Sequence, residues 1–210
     1  MTPRADLSFV HRFVPGANPD VALLLLHGTG GDENDLLPIG AQLLPGAPLL
    51  SPRGRVLEHG MPRFFRRIAE GVFDLKDLKV QTDELARFIA DASDQYGLKD
   101  RKLIAVGYSN GANIASSLLL SHPTVLAGAV LLRPMVPFVP QTSPYLRDLP
   151  VLLAAGKRDP IVDPNQTSEL AKILQTAGAR VTLHWHQGGH ELGQDDLLAA
   201  QKWLAEFPRS

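Results

Sequence analysis

KLIAVGYSNGANIASSLLL, residues 102–120, joins two different patterns at a single serine. Leu103 to Val106 is continuously apolar, as in a strand buried on both faces of a sheet. Behind it, Ala112, Ala115, Ser116, Leu119 and Leu120 recur at helical spacing as far as His122, where Pro123 ends the run. Between strand and helix lies Gly107-Tyr108-Ser109-Asn110-Gly111, a G-x-S-x-G. The motif alone is weak, because glycine and serine are common; the strand before it and the helix after it give it meaning. A serine on so tight a bend projects its hydroxyl above the sheet, and flanking glycines avoid clashes there. The helix N-terminus behind it favours developing negative charge. The plainer alternative is a glycine-rich turn with a capping serine.

Working outward, the same alternation recurs. Val21–Leu26 (VALLLL), Ala127–Leu132 (AGAVLL) and Val151–Ala155 (VLLAA) are short apolar runs, and Val181–Trp185 is a more exposed strand interrupted by polar residues. Between them, Leu85, Phe88, Ile89, Ala92 and Tyr96 keep helical period up to Gly97. Leu170, Ile173, Leu174 and Ala177 do so up to Gly178, and Leu197, Ala200, Leu204 and Phe207 give a last helix. Strands alternating with helices predict an α/β architecture, a mostly parallel sheet with helices on both faces. Ser51–Leu75, rich in Pro, Gly, Arg and Phe, has no period and reads as a long surface excursion.

Partners for Ser109 follow in the order Ser, Asp, His. Asp159 stands in Gly156-Lys157-Arg158-Asp159-Pro160, just past the Val151–Ala155 strand. His190 stands in Gln187-Gly188-Gly189-His190-Glu191, just past Val181–Trp185. All three would meet at the carboxyl edge of the sheet, where open α/β sheets bind ligands. Asp163 is a rival acid, but Asp163-Pro164-Asn165-Gln166 reads better as a helix start with Asp at the N-cap and Pro behind it. His184 and His186 alternate on a strand, a spacing that suits either a metal-ligand pair or one face of an edge strand. His122 suits a helix end, and His11 and His59 have no motif around them.

His27-Gly28-Thr29-Gly30-Gly31-Asp32 follows VALLLL directly. No Gly-Lys-Ser/Thr follows, so it is no P-loop, and Glu33 stands where a dinucleotide fingerprint needs its third glycine. As an oxyanion loop it fits: the Thr29 N–H, with the Asn110 N–H from the elbow, would hold the carbonyl oxygen under attack. His27 would hold the loop, and Asp32, Glu33 and Asp35 would cap and charge the next helix.

Composition bounds the rest. At 210 residues the chain is expected to be one domain, 1–210, burying about 70% of its unfolded surface. With no cysteine there is no disulfide framework, thiolate zinc site, iron–sulfur cluster or thiol nucleophile, which fits a reducing cytoplasmic setting. A net charge of −1 offers no field for nucleic acid. The first residues carry no apolar core for a signal peptide, and the six-residue Val21–Leu26 run is far short of the roughly 20 that span a bilayer.

As a set, LLLLHGTGGDENDLL, GYSNGANIASSLLL, AAGKRDPIV and GGHEL resemble the phospholipase/carboxylesterase family of small α/β-hydrolases, which also holds acyl-protein thioesterases. SPRGRVLEHGMPRFFRRIAEGVFDLKDL resembles a bacterial carboxylesterase branch, away from the thioesterases and their protein-acyl substrates. The resemblance runs from Val21 to Trp203. It implies an α/β-hydrolase fold with no large cap domain, frequently a homodimer, and nucleophile, acid and base at Ser109, Asp159 and His190. Phe64, Phe65 and Met135 would line the acyl or alcohol pocket, or else simply pack in the core. The expected activity is hydrolysis of small to medium carboxylic esters or thioesters, with no metal or cofactor and no membrane insertion. The rival readings are a retired hydrolase fold serving as a binding or sensor module, and a nucleotide-binding protein.

Overall fold

The computed structural model describes residues 7–207. The reading of the amino terminus as carrying no leader therefore falls partly on residues outside the described ones. In chain order the elements are β1 (His11–Val14), β2 (Val21–Leu26), α1 (Leu37–Leu43), β3 (Leu49–Pro52), β4 (Val56–Glu58), β5 (Met61–Arg63), β6 (Arg67–Ala69), β7 (Val72–Phe73) and α2 (Leu75–Tyr96). Then come β8 (Lys102–Tyr108), α3 (Asn110–Ser121), β9 (Gly128–Leu132), β10 (Pro150–Gly156), α4 (Pro164–Thr176), β11 (Arg180–His186) and α5 (Gln194–Ala205).

A seven-stranded sheet runs in the order β1-β3-β2-β8-β9-β10-β11. Every neighbouring pair is parallel except β1 on β3. The apolar runs are strands because both of their faces are covered. In β2, Ala22, Leu24 and Leu26 point into one core with α2, α3 and α4. Val21, Leu23 and Leu25 point into the other with α1 and α5. The chain moves from β2 outward to β3 and then returns to β8 on the other side of β2, so the strand order reverses between β2 and β8. That switch point is where the loops carrying Thr29 and Ser109 emerge. No large cap covers it among the described residues.

Helix ends follow local chemistry. Asp74 caps α2 by accepting from the Asp77 N–H, and Gly97 closes it in the left-handed region at φ 66°. Asp163 caps α4 by accepting from the Asn165 N–H, with Pro164 next, as the sequence predicts. One expectation fails: Asp32, Glu33 and Asp35 do not cap α1, which starts at Leu37 behind Leu36 and has no acidic residue in its first turn. Pro38, tolerated only in a first turn, sets that start. Asp32 instead accepts from the Asn34 N–H at 2.7 Å, and Glu33 pairs with Arg53.

The excursion is not shapeless. It forms two antiparallel hairpins, β4–β5 and β6–β7. The first turns at His59 and Gly60, both at positive φ (51° and 81°), as two-residue hairpins require. Between the hairpins, Phe64 and Phe65 plunge into the core at 1% and 0% exposure.

Candidate active site

The elbow after β8 is tight for a measurable reason. A Cβ on Gly111 would stand 1.9 Å from the Leu26 carbonyl oxygen, and one on Gly107 would stand 2.6 Å from the Gly111 oxygen. Only glycine lets α3 approach the sheet so closely. Ser109 is held between them at φ 51°, ψ −111°, a region costing about 1–3 kcal/mol for a residue with a side chain. Its N–H donates to the Leu132 carbonyl at 2.8 Å and its carbonyl accepts from Asn113 at 3.0 Å, so both neighbouring elements enforce the strain.

From this bend Ser109 Oγ lies 3.0 Å from His190 Nε2, and His190 Nδ1 lies 2.8 Å from Asp159 Oδ2. The structure thus brings together three residues from the ends of β8, β10 and β11. The other Asp159 oxygen, Oδ1, accepts from the Ile161 and Val162 amides at 2.8 and 2.9 Å. With a carboxylate on Nδ1, that nitrogen carries the imidazole proton and Nε2 is left to accept from Ser109. The Asp159 and His190 side chains are 2% and 14% exposed, so little water screens the chain.

The loop after β2 faces the same point. His27 donates from Nδ1 to the Gly28 carbonyl at 2.6 Å and accepts at Nε2 from the Gly54 N–H at 2.9 Å. Burial holds its pKa below the ordinary histidine value, so it stays neutral and fits this pair of bonds. Arg63, 3% exposed, donates to the Thr29 hydroxyl at 2.7 Å and to the Phe65 carbonyl at 3.1 Å. Glu58 neutralises Arg63 and is itself held below the usual carboxylate range by the Arg67 hydrogen bond. The Gly30 N–H reaches the Pro62 carbonyl at 2.9 Å. The first hairpin therefore fixes the Thr29 turn, while the Asn110 N–H, first in α3, is among the amides that a helix leaves unpaired.

The family model for phospholipase/carboxylesterase matches residues 13–207. The chain belongs to that family. It is 48% identical to MhqD of Bacillus subtilis (strain 168) over 196 residues, 93% of this chain and 98% of that one. Among solved structures, the Bacillus cereus carboxylesterase is 44% identical with a TM-score of 0.94, covering 97% of this chain and 96% of its own. Acyl-protein thioesterase 1 of Mycosarcoma maydis is 27% identical over 174 residues, 70% of this chain and 72% of its own. The family's α/β-hydrolase fold is the fold described above.

Of the two sequence readings of Phe64 and Phe65, pocket lining and core packing, their burial favours the second. Phe64 and Phe65 present almost no surface and belong to the core, Phe64 against the His27 ring at 4.7 Å and Phe65 edge-on to Phe73. Two aromatic rings in a row between charged residues are driven inward by their own apolar area. Met135 is half-buried, its N–H held by Asn113 Oδ1 at 2.7 Å. His184 and His186 lie on the edge strand β11 with rings 6.5 Å apart. Among the described residues no group of three metal-ligating side chains comes together. His122 ends α3 and meets Asp83, and His11 bonds Tyr96. Two buried arginines that serve this edge, Arg63 and Arg133, escaped the sequence reading. The available signal for Arg133 was its place directly after the apolar Ala127–Leu132 run, at the edge where the site lies.

Proposed function

We propose that the chain is a serine carboxylesterase. The observation that carries this reading is the hydrogen-bonded series Ser109–His190–Asp159 at the carboxyl edge of the sheet. Ser109 Oγ attacks the ester carbonyl carbon while its proton passes to His190 Nε2. The Thr29 and Asn110 amides receive the oxyanion, and Asp159 holds the imidazolium through Nδ1–H. Collapse of the tetrahedral intermediate breaks the bond to the alcohol, which leaves with the proton from Nε2. Water then repeats the sequence on the acyl-serine, releasing the acid and restoring the hydroxyl. His190 moves every proton, so the sequence calls on no metal or cofactor.

The uncapped edge supports small to medium acyl esters, with Met135 at the acyl or alcohol pocket, and the acyl-protein thioesterase relatives bring thioesters within the class. No helix among the described residues is long and apolar enough to cross a membrane, and the cysteine-free chain suits the cytoplasm. The homodimer that the resemblance implies is checked by sedimentation. The deciding experiment is a panel of p-nitrophenyl esters and acyl thioesters of graded length, compared by kcat/KM for the wild type and Ser109→Ala. Hydrolysis by the wild type that disappears in the variant supports the reading; equal turnover by both removes it.

A further inference from the structure

In the loop between β11 and α5 that carries His190, four carbonyl groups in a row are taken up by hydrogen bonds. From Gly188 to Glu191, successive carbonyls accept from the Arg158 N–H, Arg133 Nε, Tyr108 hydroxyl and Arg133 Nη2, at 3.1, 3.0, 3.1 and 2.7 Å. The two that flank His190, those of Gly189 and Glu191, belong to one guanidinium. Arg133 is fully buried and directly follows β9, with its backbone at φ 59°. Its N–H donates to the Ala154 carbonyl at 2.8 Å and Nη1 reaches the same oxygen at 3.3 Å. A non-glycine residue in the left-handed region persists only where its surroundings demand it, and such sites gather where geometry matters to function.

The charge is balanced with equal care. Asp196 meets Arg133 with both oxygens, 2.9 Å to Nη1 and 2.7 Å to Nη2, and both side chains are 0% exposed. Asp196 also accepts from the Gly193 N–H at 2.8 Å, closing the start of α5, and His186 Nε2 lies 3.5 Å away. Burial disfavours the Asp196 carboxylate, but the Arg133 fork and the Gly193 amide outweigh it and hold its pKa below the usual value. A buried ion pair is often no more stabilising than apolar residues of the same size. Stability alone is therefore a weak account of this one, and the planar five-donor fork is suited to fixing several acceptors at set angles.

We infer that Arg133, paired with Asp196, is a positioning residue that holds His190 at bonding distance from Ser109 by clamping the carbonyls on either side of it. The inference rests on the esterase reading for its kinetic consequence but not for its geometry. Removing the clamp frees the loop to shift, and a misplacement of about 1 Å in such a site lowers turnover on the order of 100-fold. The loss falls on kcat, since Arg133 is buried away from substrate, and KM stays within about threefold, as expected of an interaction made only in the transition state.

The test uses two variants, because an unpaired buried Asp196 could unfold the chain. Arg133→Lys keeps the charge but cannot span both carbonyls and the carboxylate. The double variant Arg133→Met with Asp196→Leu replaces the pair by apolar residues. The readouts are the melting curve, kcat and KM on a p-nitrophenyl ester, and the low-field proton resonance of His190 Nδ1–H. Expected are cooperative melting in both, a kcat loss greater in the double variant than in Arg133→Lys, a near-constant KM and a broadened or lost His190 resonance. A folded variant of either kind with wild-type kcat and a wild-type resonance overturns the inference. If the wild type itself hydrolyses no ester, the esterase reading falls. The resonance then decides alone: its retention in a folded variant overturns the role of Arg133, and its loss upholds it.

Discussion

Asp159→Asn is the sharpest perturbation that this geometry offers, because the surroundings dictate how the new amide must sit. Asp159 Oδ1 accepts from the Ile161 and Val162 amides, while Oδ2 accepts from His190 Nδ1. Two backbone donors require an oxygen, so the asparagine Oδ1 stays where it is and its Nδ2 takes the place facing His190. That NH₂ is a donor only. His190 Nδ1 must then accept, which moves the ring proton to Nε2, the atom that takes the proton of Ser109 in the proposed reaction. The shape survives and the base is lost. In a comparable Ser-His-Asp arrangement this change lowered kcat about 10⁴-fold, a barrier increase of about 5.4 kcal/mol, and a loss of that order is expected here. Because both amide bonds to Oδ1 persist, the melting temperature should stay close to that of the wild type. Asp163→Ala is the matched control: the Asp163 side chain caps α4 by accepting from the Asn165 N–H, so its loss should cost about 0.5–2 kcal/mol of stability and leave kcat unchanged. Stopped-flow kcat and thermal melting on both variants make the comparison. An Asp159→Asn protein that keeps kcat within tenfold of the wild type would refute the tautomer argument, and if a folded Asp163→Ala then loses turnover, the acid is Asp163 and the assignment to Asp159 is wrong.

Three further outcomes are expected. A fluorophosphonate should add once to the protein, at Ser109, and intact mass of folded protein with no adduct would contradict an activated serine. His27 has its pKa lowered by burial, so the unfolded chain binds its proton more readily; the stability tied to this residue is full above about pH 6.5 and declines as pH falls toward the folded pKa. Melting from pH 7.5 to 5 should accordingly be less pH-sensitive in His27→Asn, which cannot charge, and equal slopes would remove His27 from the account. Gly111→Ala forces a methyl to within 1.9 Å of the Leu26 oxygen, and urea denaturation should show a loss of about 3 kcal/mol or more, whereas a wild-type midpoint would show that α3 is free to recede.

What the sequence disclosed follows from the range of the forces involved. β2, β8, β9 and β10 were legible because a strand covered on both faces must be apolar throughout, whatever its neighbours are. Ser109, Asp159 and His190 could be placed together because each stands in the loop that leaves such a strand or its exposed neighbour β11, and strand ends of a parallel sheet share one edge. β3 was missed: LLSP is four residues long with prolines at Pro48 and Pro52, and it is a strand only because β2 and β1 offer it ladders on both sides. β4 to β7 are two or three residues each, too short for alternation to register. Arg133 shows the limit most plainly. A charge beside an apolar run reads as a strand end meeting solvent, and nothing local announces a carboxylate 63 positions away that makes its burial tolerable.

The first turn of α3 also ties the chemistry to the walls of the site. Asn110 Oδ1 accepts from the Phe64 N–H at 2.7 Å, and Asn113 Oδ1, one turn on, accepts from the Met135 N–H at 2.7 Å. The excursion and the loop after β9 are thus both fastened by backbone amides to the helix that begins at the proposed nucleophile. Backbone fastening leaves the outward side chains free to differ, as at Met61, Ile68 and Val72, which are 41%, 76% and 51% exposed on the two hairpins. Residues that hold the chain's course are therefore distinct from residues able to contact an acyl group. Exchanging exposed hairpin residues should change which ester is preferred while the Ser109–His190 distance stands, whereas exchanging Asn110 or Asn113 should disturb preference and turnover together. An ester panel run on Met61→Ala and Asn113→Ala separates the two: parallel losses over every chain length in Met61→Ala would show that the hairpins govern the elbow as well as its surroundings.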